Sequence, residues 1–221
     1  MKKSLLTIAL SSALAATTFQ ASAEETSGTG VEGLSTNVGL VSQYYYRGIQ
    51  QTGSASASAG IDYDIGAGFA VGAWTADVGD GIEVDLYGSW GMETESGFGF
   101  SVGATTYQYT GDFDSAYNEI NLGASFSFVS VDFAAGKHEE DLGLGIVESD
   151  YTFVSITAEY EGFYGTFGLH GGDFEGDYVE LGWGTDIGGF DAGVALILNS
   201  EELAGGGDAD QALVFSLGKS F

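Results

Sequence analysis

The sequence predicts an all-β chain, a twelve-stranded antiparallel transmembrane β-barrel of the outer-membrane type. Three observations predict it. Segment after segment alternates apolar and polar residues with period two. Most of these segments run about 9–12 residues, the length of a tilted strand that crosses a bilayer. The connections alternate between very short ones and longer acidic ones, the asymmetry of a barrel with tight periplasmic turns and larger outer loops.

Residues 1–23 read as a secretory signal peptide. Lys2 and Lys3 form its charged start, Leu5 to Ala16 its apolar run, and Ala21-Ser22-Ala23 its cleavage site, cut after Ala23. The apolar run is too short to span a membrane. Residues 24–34 are assigned to a short periplasmic segment and 35–221 to the barrel. The first strand is expected over 35–47, placing Gln43, Tyr45 and Arg47 on its inner face and Tyr44 and Tyr46 toward lipid. Strands at 54–64 and 68–76 follow. The next, at 82–92, sets Ile82, Val84, Leu86 and Trp90 against Glu83, Asp85, Tyr87 and Ser89. Strands at 98–109, 116–127, 129–137, 150–160, 163–171, 177–186 and 189–198 repeat the pattern. In the last, 210–221, Leu213, Phe215, Leu217, Lys219 and Phe221 alternate with Ala212, Val214, Ser216, Gly218 and Ser220. A final alternating strand ending in phenylalanine resembles the signal read by the barrel assembly machinery, so Phe221 is expected to address that partner.

Composition narrows the partners. The chain holds 32 acidic and 5 basic residues, a formal charge of −27. Loss of Lys2 and Lys3 would take it to −29, leaving Arg47, Lys137 and Lys219. Such a surface repels nucleic acid, and cations are its natural counterparts. Absence of cysteine excludes disulfides and thiolate metal sites. Thirty-seven glycines suggest a flexible coil, but 14% aromatic and 44% hydrophobic residues are too many for one. No apolar run after residue 23 is long enough for a transmembrane helix. A secreted β-sandwich would need large residues packed on its inner faces. Here the polar parity is rich in Gly, Ser, Thr, Glu and Asp.

With the apolar parity toward lipid, the lumen is expected to hold Asp62, Asp64, Glu83, Asp85, Glu119, Asp132, Glu159, Glu180 and Asp191, with Gln43, Tyr45 and the cation Arg47. An acidic lining favours cations over anions. Ser54, Ser56, Ser58, Gly60, Gly182 and Gly184 would leave room inside, and twelve strands would make that room narrow. The expectation is a passive diffusion channel for small solutes in the bacterial outer membrane, embedded in its lipid. The alternative is a structural or adhesive barrel with a closed lumen. Acidic clusters at Asp112 and Asp114, Glu139-Glu140-Asp141, Asp173 and Glu175, and Asp208 and Asp210 lack a complete calcium-loop pattern and read as solvated loops. His170 is expected near Asp173 at the outer rim, but no nucleophile motif accompanies it. No catalytic residue, metal site or cofactor is assigned, and no enzyme is expected.

The stretches "SQYYYRGIQQ", "GFAVGAWTADVGDGIEVDLYGSWG" and "YNEINLGASFSF" resemble the proteobacterial TorF-type porin family of uncharacterised outer-membrane proteins. Its opening signature, S-x-Y-x-x-R-G with a following glutamine, matches Ser42, Tyr44, Arg47, Gly48 and Gln51. A G-x-W segment and an E-x-D-x-Y segment match Gly72, Trp74, Glu83, Asp85 and Tyr87. The resemblance implies an outer-membrane barrel and a pore, and supplies no substrate. Family members often carry prolines, which this chain lacks. Arg47 is expected at the end of the first strand as a counter-ion for Glu83 or Asp85.

Overall fold

The alternating segments close into one sheet. A computed structural model describes residues 31–204 and 210–221. The signal peptide, its cleavage site, most of the 24–34 segment and Asp208 lie outside the described residues. The strands are β1 Leu34–Val41, β2 Tyr45–Tyr46, β3 Ile49–Gln50, β4 Ser56–Gly66, β5 Phe69–Asp77, β6 Ile82–Glu93 and β7 Phe98–Tyr109. They continue as β8 Tyr117–Phe126, β9 Val129–His138, β10 Ser149–Tyr160, β11 Phe163–Gly172, β12 Gly176–Asp186, β13 Asp191–Asn199 and β14 Asp210–Ser220. Twelve of them form a closed antiparallel barrel in which each neighbours the next in sequence, while β2 and β3 pair only with each other. The twelve-stranded transmembrane barrel predicted from alternation is therefore the fold.

Closure falls between β1 and β14, with Val38 opposite Lys219 and Val41 opposite Ser216. Phe221 extends this seam. Its N–H donates to the Thr36 carbonyl at 2.9 Å, and Thr36 N–H donates to the Phe221 carbonyl at 3.2 Å. A closed barrel leaves no unpaired edge in a medium without hydrogen-bond partners. The outward parity carries Leu40, Ile61, Phe69, Leu86, Phe100, Ile120, Phe133, Ile156, Phe167, Leu181 and Phe215, all exposed. Each such side chain gains about 1.5–3 kcal/mol on leaving water, so this belt fits hydrocarbon. Tight turns join the strands at the end that holds Leu34 and Phe221. In Ala67-Gly68 and Glu161-Gly162 both residues have positive φ, as two-residue hairpin turns require. The long connections gather at the other end.

The first predicted strand is the one large correction. It ends at Val41 rather than 47. Val41 faces Ser216 on one side and Ser56 on the other, so residues 42–55 leave the wall. Ser42 fastens the exit, its Oγ accepting from the Phe215 N–H at 3.0 Å and its own N–H donating to the Phe215 carbonyl at 2.9 Å. The chain then turns into the barrel as the β2–β3 hairpin.

Candidate functional site

The hairpin is made by two residues. Arg47 has φ of 49° and Gly48 of 81°, and Tyr46 pairs with Ile49 across them. Positive φ at both turn positions is the type I′ requirement, which normally selects Asn-Gly. Gly48 is required twice over, because a Cβ there would stand 2.5 Å from Cγ of Tyr178. Arginine in the left-handed region is uncommon and strained, on the order of 1 kcal/mol. Its side chain supplies the compensation.

Arg47 is 4% exposed and makes a two-pronged bond to Glu119 on β8, with Nη1 donating to Oε2 and Nη2 to Oε1, each at 2.9 Å. Glu119 also accepts from Tyr107 at 2.8 Å, Asn121 at 2.6 Å and Tyr151 at 2.9 Å. Since Tyr107 donates to Glu119, Tyr46 donates to the Tyr107 oxygen at 2.8 Å. The guanidinium lies between the rings of Tyr46 and Phe153, 4.8 and 4.4 Å from their centroids. This is the geometry in which a buried ion pair is fully hydrogen-bonded on both sides.

The backbone of the tip is held from the opposite wall. His170 Nε2 donates to the Arg47 carbonyl at 2.9 Å, and Asn199 Nδ2 to the Gly48 carbonyl at 3.1 Å. Tyr44 packs on Trp74, Ala76 and Val78, and Tyr45 on Ile197 and Val214. Strands all around the wall therefore contribute an inward side chain to the hairpin, which fills the outer half of the lumen.

Below it the lining changes. Asp62, Asp64, Asp132, Glu159, Glu180 and Asp191 lie on inward parities among Ser, Thr and Gly. Tyr87 donates to Asp62 at 2.6 Å and Tyr164 to Glu180 at 2.5 Å. Among the described residues Arg47 is the one inward Lys or Arg. Lys137 and Lys219 share the outward parity, the first bonded to Glu148 at 2.7 Å and the second between Phe190 and Phe221.

Several expectations change. Arg47 pairs with Glu119, not with Glu83 or Asp85, because the hairpin carries it inward past the strand end. Tyr44 and Tyr46 face the lumen rather than lipid, because neither is on a wall strand. Tyr45 is buried in the lumen, and Gln43 lies in the exit segment, outside any strand. Gly60 and Gly182 do not leave room, since Asn37 and Tyr164 cover them. His170 secures the hairpin and does not pair with Asp173, whose carboxylate accepts instead from the Asp150 N–H. Glu83, Asp85 and Glu119 lie on inward parities, where each is buried rather than open to a lumen. Sequence reasoning missed Tyr107, Tyr151, Phe153 and Tyr178 as hairpin contacts. Their signal was present: aromatic residues on the polar parity at the outer ends of strands.

Solved structures similar to this fold include the KdgM porin, at TM-score 0.56 and 10% identity, covering 85% of this chain and 98% of that one. A barrel from work on in-meso crystallization of membrane proteins aligns at TM-score 0.57 and 9% identity, covering 85% and 83%. The outer membrane protein opdK from Pseudomonas aeruginosa aligns at TM-score 0.45 and 13% identity, covering 86% and 67%. No curated protein matches the sequence. The profile of the family described as "Bacterial protein of unknown function (Gcw_chp)" matches residues 23–180, and the chain belongs to that family.

Proposed function

We propose that this protein is an outer-membrane channel for passive diffusion of small solutes, non-enzymatic and cation-preferring, with the hairpin as its constriction. The observation that carries this reading is the division of the lumen. The outer half is filled by one short hairpin packed against wall side chains such as Trp74, Phe153 and Tyr178, while the inward parities of the inner half carry Ser, Thr, Gly and acids. A barrel built to be solid would fill both halves from its walls, as eight-stranded barrels do. The KdgM likeness and the TorF-type resemblance support a pore, and the acid-lined inner half supports attraction of cations. In this reading Asp62, Asp132, Glu159 and Glu180 set the charge preference, Arg47 and Glu119 hold the constriction, and Tyr45 and Gln43 lie along the hairpin. Lipid and small solutes are its partners, with Phe221 presented to the assembly machinery.

A closed structural barrel is the second reading, favoured by the tight packing around Tyr44 and Tyr178, each 1% exposed. Planar-bilayer recording under a salt gradient separates the two. A channel gives conductance that increases when residues 43–51 are replaced by a Gly-Ser linker, with a reversal potential of cation sign. Silence from both the native and the linker barrel would establish the closed reading, and an anion-sign potential would remove the charge assignment.

A further inference from the structure

One buried cluster takes no part in the Arg47 network. Glu83 and Asp85 lie two residues apart on the inward face of β6, 2% and 1% exposed. Glu83 is flanked in register by Ala76 and Tyr109, and Asp85 by Trp74 and Tyr107. Glu83 Oε2 and both Asp85 carboxylate oxygens have no hydrogen-bond partner. Tyr44, from the hairpin segment, covers the pair. Its hydroxyl is also unpartnered and buried, and it faces the two carboxylates without the geometry of a hydrogen bond. Arg47, the one inward Lys or Arg among the described residues, is committed to Glu119.

Two carboxylates side by side in an aromatic enclosure cannot both stay ionised, because each destabilises the charge of the other and neither is hydrated. Something must neutralise one of them. These oxygens have essentially no accessible surface, which leaves no room for a hydrated cation, whereas a proton needs none. A shared proton also gives one carboxyl an O–H with which to bond its neighbour.

We infer that Glu83 and Asp85 hold a shared proton while the hairpin is docked, and that losing it frees the hairpin, so that conductance through the barrel rises with pH. This rests on the channel reading and adds its regulation. The mechanism follows from position. Tyr44 packs on Trp74 with ring centroids 5.8 Å apart, and Trp74 stands opposite Asp85 in register, so hydrating a second charge requires water where Tyr44 now packs. The sign follows from linkage. The docked state binds a proton that the released state, with both carboxylates hydrated, does not. Raising the pH therefore favours release, by up to tenfold per pH unit for one linked proton. The other groups facing the pair are Tyr44 on the hairpin segment, Tyr87 on β6 itself, Tyr107 and Tyr109 on β7, Asp114 in the β7–β8 loop, and Tyr117 and Glu119 on β8. Glu119 is neutralised by Arg47, and Asp114 is bonded to His138 at 2.8 Å, so His138 requires its own control.

The test uses the native barrel in planar bilayers from about pH 5 to about pH 9, with a second readout that needs no conductance. The chain has no cysteine, so a nitroxide at Gln50→Cys, an exposed β3 position, reports the hairpin alone. Conductance and the mobile spin fraction are expected to rise together with pH, by up to tenfold per unit. Both are expected to stay low and flat in Asp85→Asn and in Glu83→Gln, and to keep their slope in His138→Gln. A native label that does not respond to pH overturns the inference while leaving the channel reading intact. So does a slope unchanged in both carboxylate variants, or a response that follows sodium concentration at fixed pH and ionic strength. A linker barrel that does not conduct overturns the channel reading, and the label still decides whether the hairpin is proton-linked.

Discussion

Arg47 shows how much rests on single side chains here. A buried ion pair contributes little net stability when complete, but removing one partner leaves an uncompensated charge costing about 3–5 kcal/mol. Arg47→Ala would strand Glu119 among Tyr107, Tyr151 and Asn121 with its cation gone. The expected outcome is an intact barrel with a displaced hairpin, read as higher bilayer conductance with an unchanged melting transition of the wall. Arg47→Lys is expected to recover only part of the native state, because an ammonium cannot make the two-pronged bond. Gly48→Ala is expected to displace the hairpin without touching any charge. Its Cβ would meet the Tyr178 ring and its φ is unfavourable, together costing about 1–3 kcal/mol. Equal conductance in native and Gly48→Ala barrels would contradict this account of the turn. Glu119 was legible in the sequence as an inward acid. Its partner was not, because the pair spans 72 residues and only folding brings them together.

At the scale of elements, the wall and the hairpin differ in what holds them. Each wall strand is paired to a neighbour on both sides, whereas β2 and β3 pair only with each other and are otherwise held by side chains. Native-state hydrogen exchange of the barrel in detergent should therefore show the amides of Tyr46 and Ile49 exchanging well before those of β7 and β8. Equal protection would mean that hairpin and wall open as one unit. The wall was readable from the sequence because period two is local. The 98–109 strand was placed at its observed bounds, and the others erred by a residue or two. The first strand failed for a physical reason. Three tyrosines carry strong β propensity, and alternation through Arg47 looks unbroken. The break lies in the backbone at Arg47-Gly48, where arginine gives none of the usual Asn-Gly signal.

The whole molecule is a closed acidic cylinder with three basic residues along its described length, one inside and two on the outer face. If the inner-half acids concentrate cations, replacing Asp62, Asp132 and Asp191 together with asparagine should lower the cation-to-anion permeability ratio by roughly tenfold at low salt, with the difference shrinking as salt screens the lumen. Reversal potentials under matched gradients would check this, and an unchanged ratio would place the selectivity elsewhere. By itself the sequence determined the closed barrel, the strand order and the inward and outward faces of the wall strands, because each follows from local alternation and from closure without an edge. Only the tertiary structure decided that the outer half is filled. Whether a polar-parity aromatic lines open space or packs on an inserted hairpin depends on contacts across the barrel, and no local pattern records them.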